Sequence, residues 1–97
     1  MMEPTSAGPR CERVVFSGRV QGVGFRQHTR GLASRFPLVG YVRNQADGTV
    51  ELVARGPLSA ISGLIQQLQA DFPGQITAVD RRPFEGPAEF EGFEVRF

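Results

Sequence analysis

The chain has 97 residues, enough for one domain around a single core and too few for two. Hydrophobic residues make up 40% of the sequence and charged residues 22%, which argues against both an intrinsically disordered chain and a membrane protein. Eleven basic residues stand against ten acidic ones, so a net charge of +1 excludes a strong general attraction to polyanions such as DNA. Any anion-binding site is therefore expected to be local.

Residue types that are missing or present once exclude several classes of enzyme. All eleven basic residues are arginine, which excludes a phosphate-loop lysine and Schiff-base chemistry. Cys11 is the only cysteine and His28 the only histidine, so an intramolecular disulfide and a Cys/His zinc cluster are ruled out. A cysteine-dependent phosphatase is excluded because Ser17 stands six positions after Cys11, where its anion-binding arginine is required. No two aspartates lie two residues apart, so metal catalysis is not expected.

The N-terminus is predicted to be a loose tail. Residues 1–10 contain two prolines, a glycine and a serine, and they lack an apolar run of signal-peptide length. No stretch of the sequence is apolar enough to span a bilayer. We assign residues 1–10 to a disordered tail and residues 11–97 to the domain, and the single cysteine favours a reducing cytoplasm.

The first half of the domain is predicted to be a strand, a glycine-rich connection and a helix. Residues 12–17 alternate with a period of two, which is typical of a strand with Val14 and Phe16 on one side. Residues 18–24 contain three glycines. A helix follows and is expected to continue to Pro37, whose ring is incompatible with a helical turn before it. Its buried face is predicted to consist of Phe25, Thr29, Leu32, Ala33 and Phe36.

The second half is predicted to add a hairpin, a second helix and two further strands. Strands over residues 39–45 and 49–55 flank Asp47-Gly48, a dipeptide that supplies the positive φ values of a tight hairpin. Pro57 suits the first position of a helix, and apolar residues at helical spacing continue to Phe72. The last two strands are expected at residues 76–84 and 93–97. The aromatic residues assigned to the core are Phe16, Phe36, Phe93 and Phe97.

This order of elements, β-α-β-β-α-β with a short extra strand, predicts an α+β ferredoxin-like sandwich in which two helices cover one face of an antiparallel sheet. In such a fold the first two strands run in the same direction with the third between them, so their C-terminal ends meet at one edge. Two strand spacings are roughly 10 Å. Arg26, in the first turn of the first helix, and Asn44, at the end of the second strand, are thus expected to reach one small ligand.

The glycine-rich stretch before the first helix is a candidate anion site. Its glycines let successive backbone N–H groups converge, and the helix N-terminus adds a positive potential. Arg26 contributes a planar fork that matches two phosphate oxygens. Glycines that serve only chain geometry explain the spacing equally well, and Asn44 is also expected from local hydrogen bonding before a turn. A dinucleotide site is excluded because Gln27 stands where a third glycine is required.

Several blocks of the sequence together resemble the acylphosphatase family. They are residues 18–26 followed by Thr29, residues 40–44 and residues 47–51. The blocks keep the order and approximate separation of the family, and the resemblance extends to residues 93–97. Tyr41 and residues 36–38 depart from the family pattern, and we expect these departures to affect packing and stability rather than the reacting groups.

The resemblance implies a hydrolase that cleaves the carboxyl-phosphate anhydride of an acyl phosphate into a carboxylate and inorganic phosphate, without a metal or other cofactor. By position, Arg26 matches the arginine that holds the phosphate, and Asn44 matches the asparagine that orients the attacking water. The backbone amides that bind the phosphate with Arg26 belong to Gln21, Gly22, Val23, Gly24 and Phe25. We expect a small-molecule substrate, a monomer, and neither a nucleic-acid nor a membrane partner.

No residue resembles a dedicated base, so the bound phosphate itself is expected to accept the proton of the water. His28 points about 200° away from Arg26 on the helix and is expected on the surface. Thr29 is expected to pack or hydrogen-bond beneath the loop.

Two other functions are alternatives to hydrolysis. Ferredoxin-like sheets also bind single-stranded RNA or other anions without catalysis, but residues 49–54 of the middle strand offer no aromatic platform. A similar domain can serve carbamoyl-phosphate chemistry within a larger maturation enzyme. Because this chain ends after one domain, a free-standing hydrolase is the expectation.

Overall fold

A computed structural model describes residues 10–87 and 89–97. In chain order its elements are β1 (Arg10–Gly18), α1 (Phe25–Ala33), β2 (Val39–Asn44), β3 (Val50–Gly56), α2 (Leu58–Asp71), β4 (Ile76–Pro83) and β5 (Phe93–Arg96). The strands form one sheet in the order β4-β1-β3-β2-β5. The prediction of a ferredoxin-like sandwich with a short additional strand is therefore confirmed. Neither of these helices is long and apolar enough to cross a membrane.

The direction of the last strand differs from the predicted antiparallel sheet. β1, β2, β3 and β4 pair antiparallel with β3 between β1 and β2, as expected. β5 instead pairs parallel to β2, from Gly40 opposite Phe93 to Arg43 opposite Arg96. The chain crosses from one edge of the sheet to the other before β5, and so no tight hairpin forces antiparallel pairing. As a result, β2 and β5 point the same way, and their C-terminal ends lie next to each other.

The core lies between the sheet and the two helices. Val14 and Phe16 of β1 point inward as predicted and are fully buried. The ring of Phe25, in α1, lies 5.1 Å from that of Phe16 and 5.0 Å from that of Phe72, measured between centroids. Such tilted aromatic pairs contribute about 1 kcal/mol each beyond the burial of area. These contacts fix the start of α1 against β1 and the end of α2.

The end of α1 comes earlier than predicted. The helix ends at Ala33, and the backbone N–H groups of Arg35 and Phe36 donate to carbonyls three residues back, at 2.9 and 3.1 Å. Tighter turns of this kind are common at helix ends. Phe36 still packs partly buried against the core, so the predicted apolar face is right although its last member lies outside the helix.

Phe97 was assigned to the core, and this assignment is wrong. Its side chain is 96% exposed, whereas Phe93 and Val95 pack partly buried against the core. The alternation that buries those two residues stops because β5 ends at Arg96. Arg10, assigned to the N-terminal tail, is the first residue of β1, and residues 1–9 of that predicted tail lie outside the described residues.

The hairpin between β2 and β3 forms at the predicted place. Gly48 has a φ of +92°, and Asp47 does not have a positive φ, so only the glycine supplies the left-handed conformation. Oδ1 of Asp47 accepts hydrogen bonds from the backbone N–H and the hydroxyl of Thr49, at 3.0 and 2.6 Å. These bonds hold the turn that follows Asn44.

A buried carboxylate organises the sheet face that points away from the helices. Glu51 of β3 is 3% exposed and accepts hydrogen bonds from Nε of Arg13 and from Nε of Arg43, the latter at 2.6 Å. Burial raises the pKa of Glu51, but the two arginine hydrogen bonds and charges outweigh it and hold the pKa below its ordinary value. The guanidinium groups of Arg13 and Arg43 are thus paired within the molecule.

Tyr41 packs on the same face of the sheet. Its ring is mostly buried and lies 4.0 Å from the guanidinium carbon of Arg96, with the ring of Phe90 at 6.0 Å. Burial raises the pKa of Tyr41, and the nearby Glu51 carboxylate adds to the shift. The departure from the family pattern at Tyr41 therefore concerns packing of this face.

Candidate active site

The loop between β1 and α1 depends on glycine for its backbone conformation. Gly22 has a φ of +78° and Gly24 a φ of +80°, and Gly24 is the N-cap of α1. Residues with a Cβ adopt this left-handed region at a cost. Apart from the adjacent residues, no heavy atom of the described part of the chain lies within 4 Å of a Cβ placed on either glycine, so the requirement is conformational rather than steric. The space beside the loop is open to a ligand.

The backbone amides of this loop lack acceptors in the part of the chain that the structure describes. From Gln21 to Phe25, no N–H group donates a hydrogen bond to a described backbone or side-chain atom, and α1 has no side-chain cap. The first bond across the start of the helix runs from the N–H of His28 to the carbonyl of Gly24, at 3.0 Å. Unpaired amides before a helix form a site for an anion. These amides are therefore available to an anionic ligand.

Arg26 and Asn44 line one cavity, as the topology predicts. Its volume is about 120 Å³. The space is large enough for several water molecules. The other lining residues are Val20, Gly22, Gly24, Phe25 and Gln27. Gln21 and Val23, whose amides were also predicted to bind, do not line it, while Val20 and Gln27 were not anticipated.

The side chain of Arg26 is positioned by the end of β5. Its Nη1 donates to the backbone carbonyl of Arg96 at 3.1 Å, and its guanidinium carbon lies 4.6 Å from the centroid of the Phe97 ring. Both contacts arise because β5 runs parallel to β2 and ends beside the start of α1. The sequence held no signal for them, since the alternation in residues 93–97 pointed Phe97 into the core.

Asn44 lies at the exposed end of β2 and lines the pocket. Within residues 10–87 and 89–97 its side chain makes no hydrogen bond, so the local bonding that often explains an asparagine before a turn is not found among these residues. Its amide is therefore available to a ligand or a water in the cavity.

Gln21 joins the glycine loop to the hairpin that follows Asn44. Its Nε2 donates to the backbone carbonyl of Gln45 at 2.8 Å and to that of Thr49 at 2.9 Å. The side chain of Gln45 accepts a further bond from Nη2 of Arg13 at 3.1 Å. Gln21 thus sets the distance between the loop amides and Asn44 with its side chain, a role that differs from the predicted one for its backbone amide.

Thr29 and His28 lie where the sequence suggested. Thr29 is fully buried, and its hydroxyl donates to the carbonyl of Phe25 at 2.8 Å, beneath the start of α1. His28 is exposed and turned toward α2, with Nε2 at 2.6 Å from Oδ2 of Asp71. This hydrogen bond to His28, helped by a second from Gln67, holds the pKa of Asp71 below its ordinary value. Neither residue lines the pocket.

Titratable side chains are sparse around the pocket. Among the described residues, no group of three or more His, Cys, Asp or Glu side chains is arranged to hold a metal ion. Cys11 lies at the start of β1, at the opposite end of that strand from the loop, and burial raises the pKa of its thiol.

Together, the fold and the pocket define an α+β sandwich in which a glycine loop and the end of β2 line a small cavity. The family model for acylphosphatases matches residues 12–95, and the chain belongs to this family. A curated acylphosphatase of Caldivirga maquilingensis is 42% identical over 87 residues, covering 88% of this chain and 92% of the relative. One from Salinibacter ruber is 43% identical over 81 residues, covering 82% and 85%.

A solved structure agrees with these relatives. The acylphosphatase from Coxiella burnetii matches with a TM-score of 0.80 at 34% identity, over 92% of this chain and 94% of its own. The chain is accordingly an enzyme that hydrolyses acyl phosphates, and a non-enzymatic RNA- or anion-binding module is not favoured.

Proposed function

We propose that acyl phosphates are hydrolysed in the cavity between the glycine loop and the end of β2. One observation carries the proposal: Arg26 and Asn44 line the same space of about 120 Å³ beside a loop whose amides lack acceptors among the described residues. Hydrogen-bond donors that are fixed before the substrate arrives stabilise developing charge without having to reorganise.

Arg26 and the loop amides would hold the phosphoryl group. The guanidinium offers two parallel donors to phosphate oxygens, and the start of α1 adds its positive potential. In phosphoryl transfer, negative charge is spread over the equatorial oxygens, so donors around these oxygens stabilise the transition state. The contacts of Arg26 with Arg96 and Phe97 restrict where its donors can point.

Asn44 would orient the attacking water in line with the leaving carboxylate. The water oxygen bonds to phosphorus while the bond between phosphorus and the acyl oxygen breaks, and its electron pair leaves with the carboxylate. One water proton stays on the attacking oxygen, and the other passes to a phosphoryl oxygen, giving dihydrogen phosphate. A carboxylate is a good leaving group, so positioning and charge stabilisation are sufficient and no protein base is required.

The test follows hydrolysis of acetyl phosphate in the presence of a chelator. We expect Arg26→Ala and Asn44→Ala each to lower kcat by about 10²- to 10³-fold, the usual effect of removing one transition-state donor. Arg35→Ala and Gln67→Ala are controls at exposed positions outside the pocket and should retain the parent rate. Folded Arg26 and Asn44 variants with parent rates would overturn this assignment, and activity restored only by added metal would contradict metal-independent turnover.

We further propose that the protein is a cytoplasmic monomer that acts on small molecules without a nucleic-acid partner. The single cysteine suits a reducing compartment. Arg13 and Arg43 on the open face of the sheet are paired with Glu51, which reduces the positive charge available to a phosphate backbone. Light scattering of the purified protein, with and without single-stranded RNA, tests the oligomeric state and RNA binding. A dimer would refute the monomer, and a stable RNA complex would refute the absence of a nucleic-acid partner.

A further inference from the structure

A second, larger cavity adjoins the proposed catalytic pocket. It runs along α1 toward the start of β5 and has a volume of about 490 Å³, within the range of small-molecule sites. Gln27 lines both cavities, so the two are neighbours. The remaining lining residues are Arg30, Gly31, Ala33, Ser34, Phe36, Leu38 and Phe93. We call this cavity the acyl groove.

The acyl groove combines an apolar floor with one cationic group. Phe36, Leu38 and Phe93 supply apolar surface, and none of the described residues that line the groove is acidic. Arg30 is exposed, and its side chain makes no hydrogen bond or ion pair with a residue that the structure describes. The cavity across β5 has an excess of negative charge, since Glu89, Glu91 and Glu94 line it together with Arg96, which is paired with Glu94. An anionic group would therefore be attracted to the α1 side and repelled from the other.

The spacing of the two arginines on α1 matches a short substrate. Arg26 and Arg30 are four residues apart, so their Cβ atoms lie about 5–6 Å from each other on one face of the helix. In an extended four-carbon acyl phosphate, about five bonds, or roughly 6 Å, separate phosphorus from a carboxylate at the far end. With the phosphoryl group beside Arg26, that carboxylate would reach Arg30.

We propose that the acyl groove binds the acyl part of the substrate, and that Arg30 selects acyl phosphates of short dicarboxylic acids. The proposal rests on the catalytic pocket described above, since it assumes that the phosphoryl group lies beside Arg26. Arg30 is a specificity-determining residue that contacts the substrate away from the reacting atoms. The apolar floor accommodates the methylene groups between the two charges.

Two substrates of equal chain length test this selection. Succinyl phosphate and butyryl phosphate both carry four carbons, and they differ only in a terminal carboxylate against a methyl group. We expect Arg30→Gln to lower kcat/KM for succinyl phosphate about fivefold at low ionic strength, the upper range for an exposed ion pair. The value for butyryl phosphate should stay within about twofold, and added salt should weaken the succinyl preference of the parent.

Arg35→Gln is the matched control, because it removes the same charge from an exposed position near the end of α1 that does not line the groove. An equal fall for succinyl phosphate in Arg35→Gln, or no fall in Arg30→Gln, would overturn the proposal. Acetyl phosphate is too short to reach Arg30 and reports on the pocket alone. If Arg26→Ala hydrolysed acetyl phosphate at the parent rate, the proposal for the catalytic pocket would be refuted. If the ratio of kcat/KM for succinyl phosphate to kcat/KM for butyryl phosphate were unchanged in Arg30→Gln, the proposal for the acyl groove would be refuted.

Discussion

The guanidinium of Arg26 lies over the ring of Phe97, with 4.6 Å between the guanidinium carbon and the ring centroid. The ring is 96% exposed, so this contact does little for the core. A cation over an aromatic face is attracted to it, and the same guanidinium donates to the carbonyl of Arg96 at 3.1 Å. Two contacts from the end of β5 therefore position the side chain that is proposed to hold the phosphate.

Phe97→Ala should lower activity more than stability. An exposed cation–π contact is worth about 0.5–1 kcal/mol, so we expect kcat/KM for acetyl phosphate to fall about two- to fivefold. The midpoint of thermal unfolding should hardly change, because the ring buries almost no surface. Phe97→Tyr keeps an aromatic face and should retain the parent rate. A loss of activity in Phe97→Tyr equal to that in Phe97→Ala would show that the ring does not act through Arg26.

Gln21→Ala should affect both stability and turnover. The substitution removes two hydrogen bonds to the hairpin, at 2.8 and 2.9 Å, and we expect it to lower the free energy of unfolding by about 1–2 kcal/mol. Because the loop then loses its tie to the segment after Asn44, kcat should fall as well. Gln67→Ala is the control, since its single bond to Asp71 lies on the exposed face of α2. A parent-like kcat in Gln21→Ala would contradict the role given to this side chain.

The Glu51 carboxylate predicts a loss of stability in acid. Its pKa is lower in the folded protein than its ordinary value of 4.5, so the unfolded chain takes up the proton first as the pH falls. The stabilising contribution is complete above about pH 5, begins to decline near the ordinary value, and is lost as the pH falls through the lower folded pKa. Urea unfolding between about pH 7 and pH 3 measures this decline.

Glu51→Gln separates this residue from the other carboxylates. The variant should be less stable at neutral pH by about 1–3 kcal/mol, because Arg13 and Arg43 lose their charged acceptor. Its free energy of unfolding should also vary less with pH below the ordinary pKa of glutamate. If parent and variant declined in parallel, the acid sensitivity would have to come from other groups.

His28→Ala should leave catalysis intact. The imidazole is bonded to Asp71 at 2.6 Å and packs edge-on against Phe72, away from the pocket. We expect kcat for acetyl phosphate within about twofold of the parent, with an unchanged pH profile. The measurement is a pH–rate profile of both proteins. A limb of the profile that disappears together with His28 would establish an imidazole base and refute proton transfer to the substrate phosphate.

Much of the site follows from the sequence because it depends on topology. The positions of β1 and β2 on either side of β3 are a property of the split β-α-β unit, and that arrangement alone brings the start of α1 close to Asn44. Gly22 and Gly24 also indicate a left-handed backbone conformation, which residues with a Cβ rarely adopt. The order of the elements and the positions of the glycines can be read from the sequence, so this part of the site can be predicted.

The contacts that support the pocket could not be predicted in this way. Gln21 binds carbonyls more than twenty residues away, and such a bond depends on the final placement of two turns. The alternation around Phe93 pointed Phe97 inward, but the pattern carries no information on where pairing with β2 stops. The acyl groove likewise arises only once β5 is placed beside α1.

The parallel pairing of β5 has a consequence for how the enzyme would respond to heat or denaturant. β5 is the outermost of the described strands on its side and is only four residues long, so it is the kind of element that opens locally before the whole protein unfolds. Each opening would release the Arg96 carbonyl and the Phe97 ring from Arg26. Catalytic activity would then be lost at a lower temperature or denaturant concentration than the one that unfolds the whole protein.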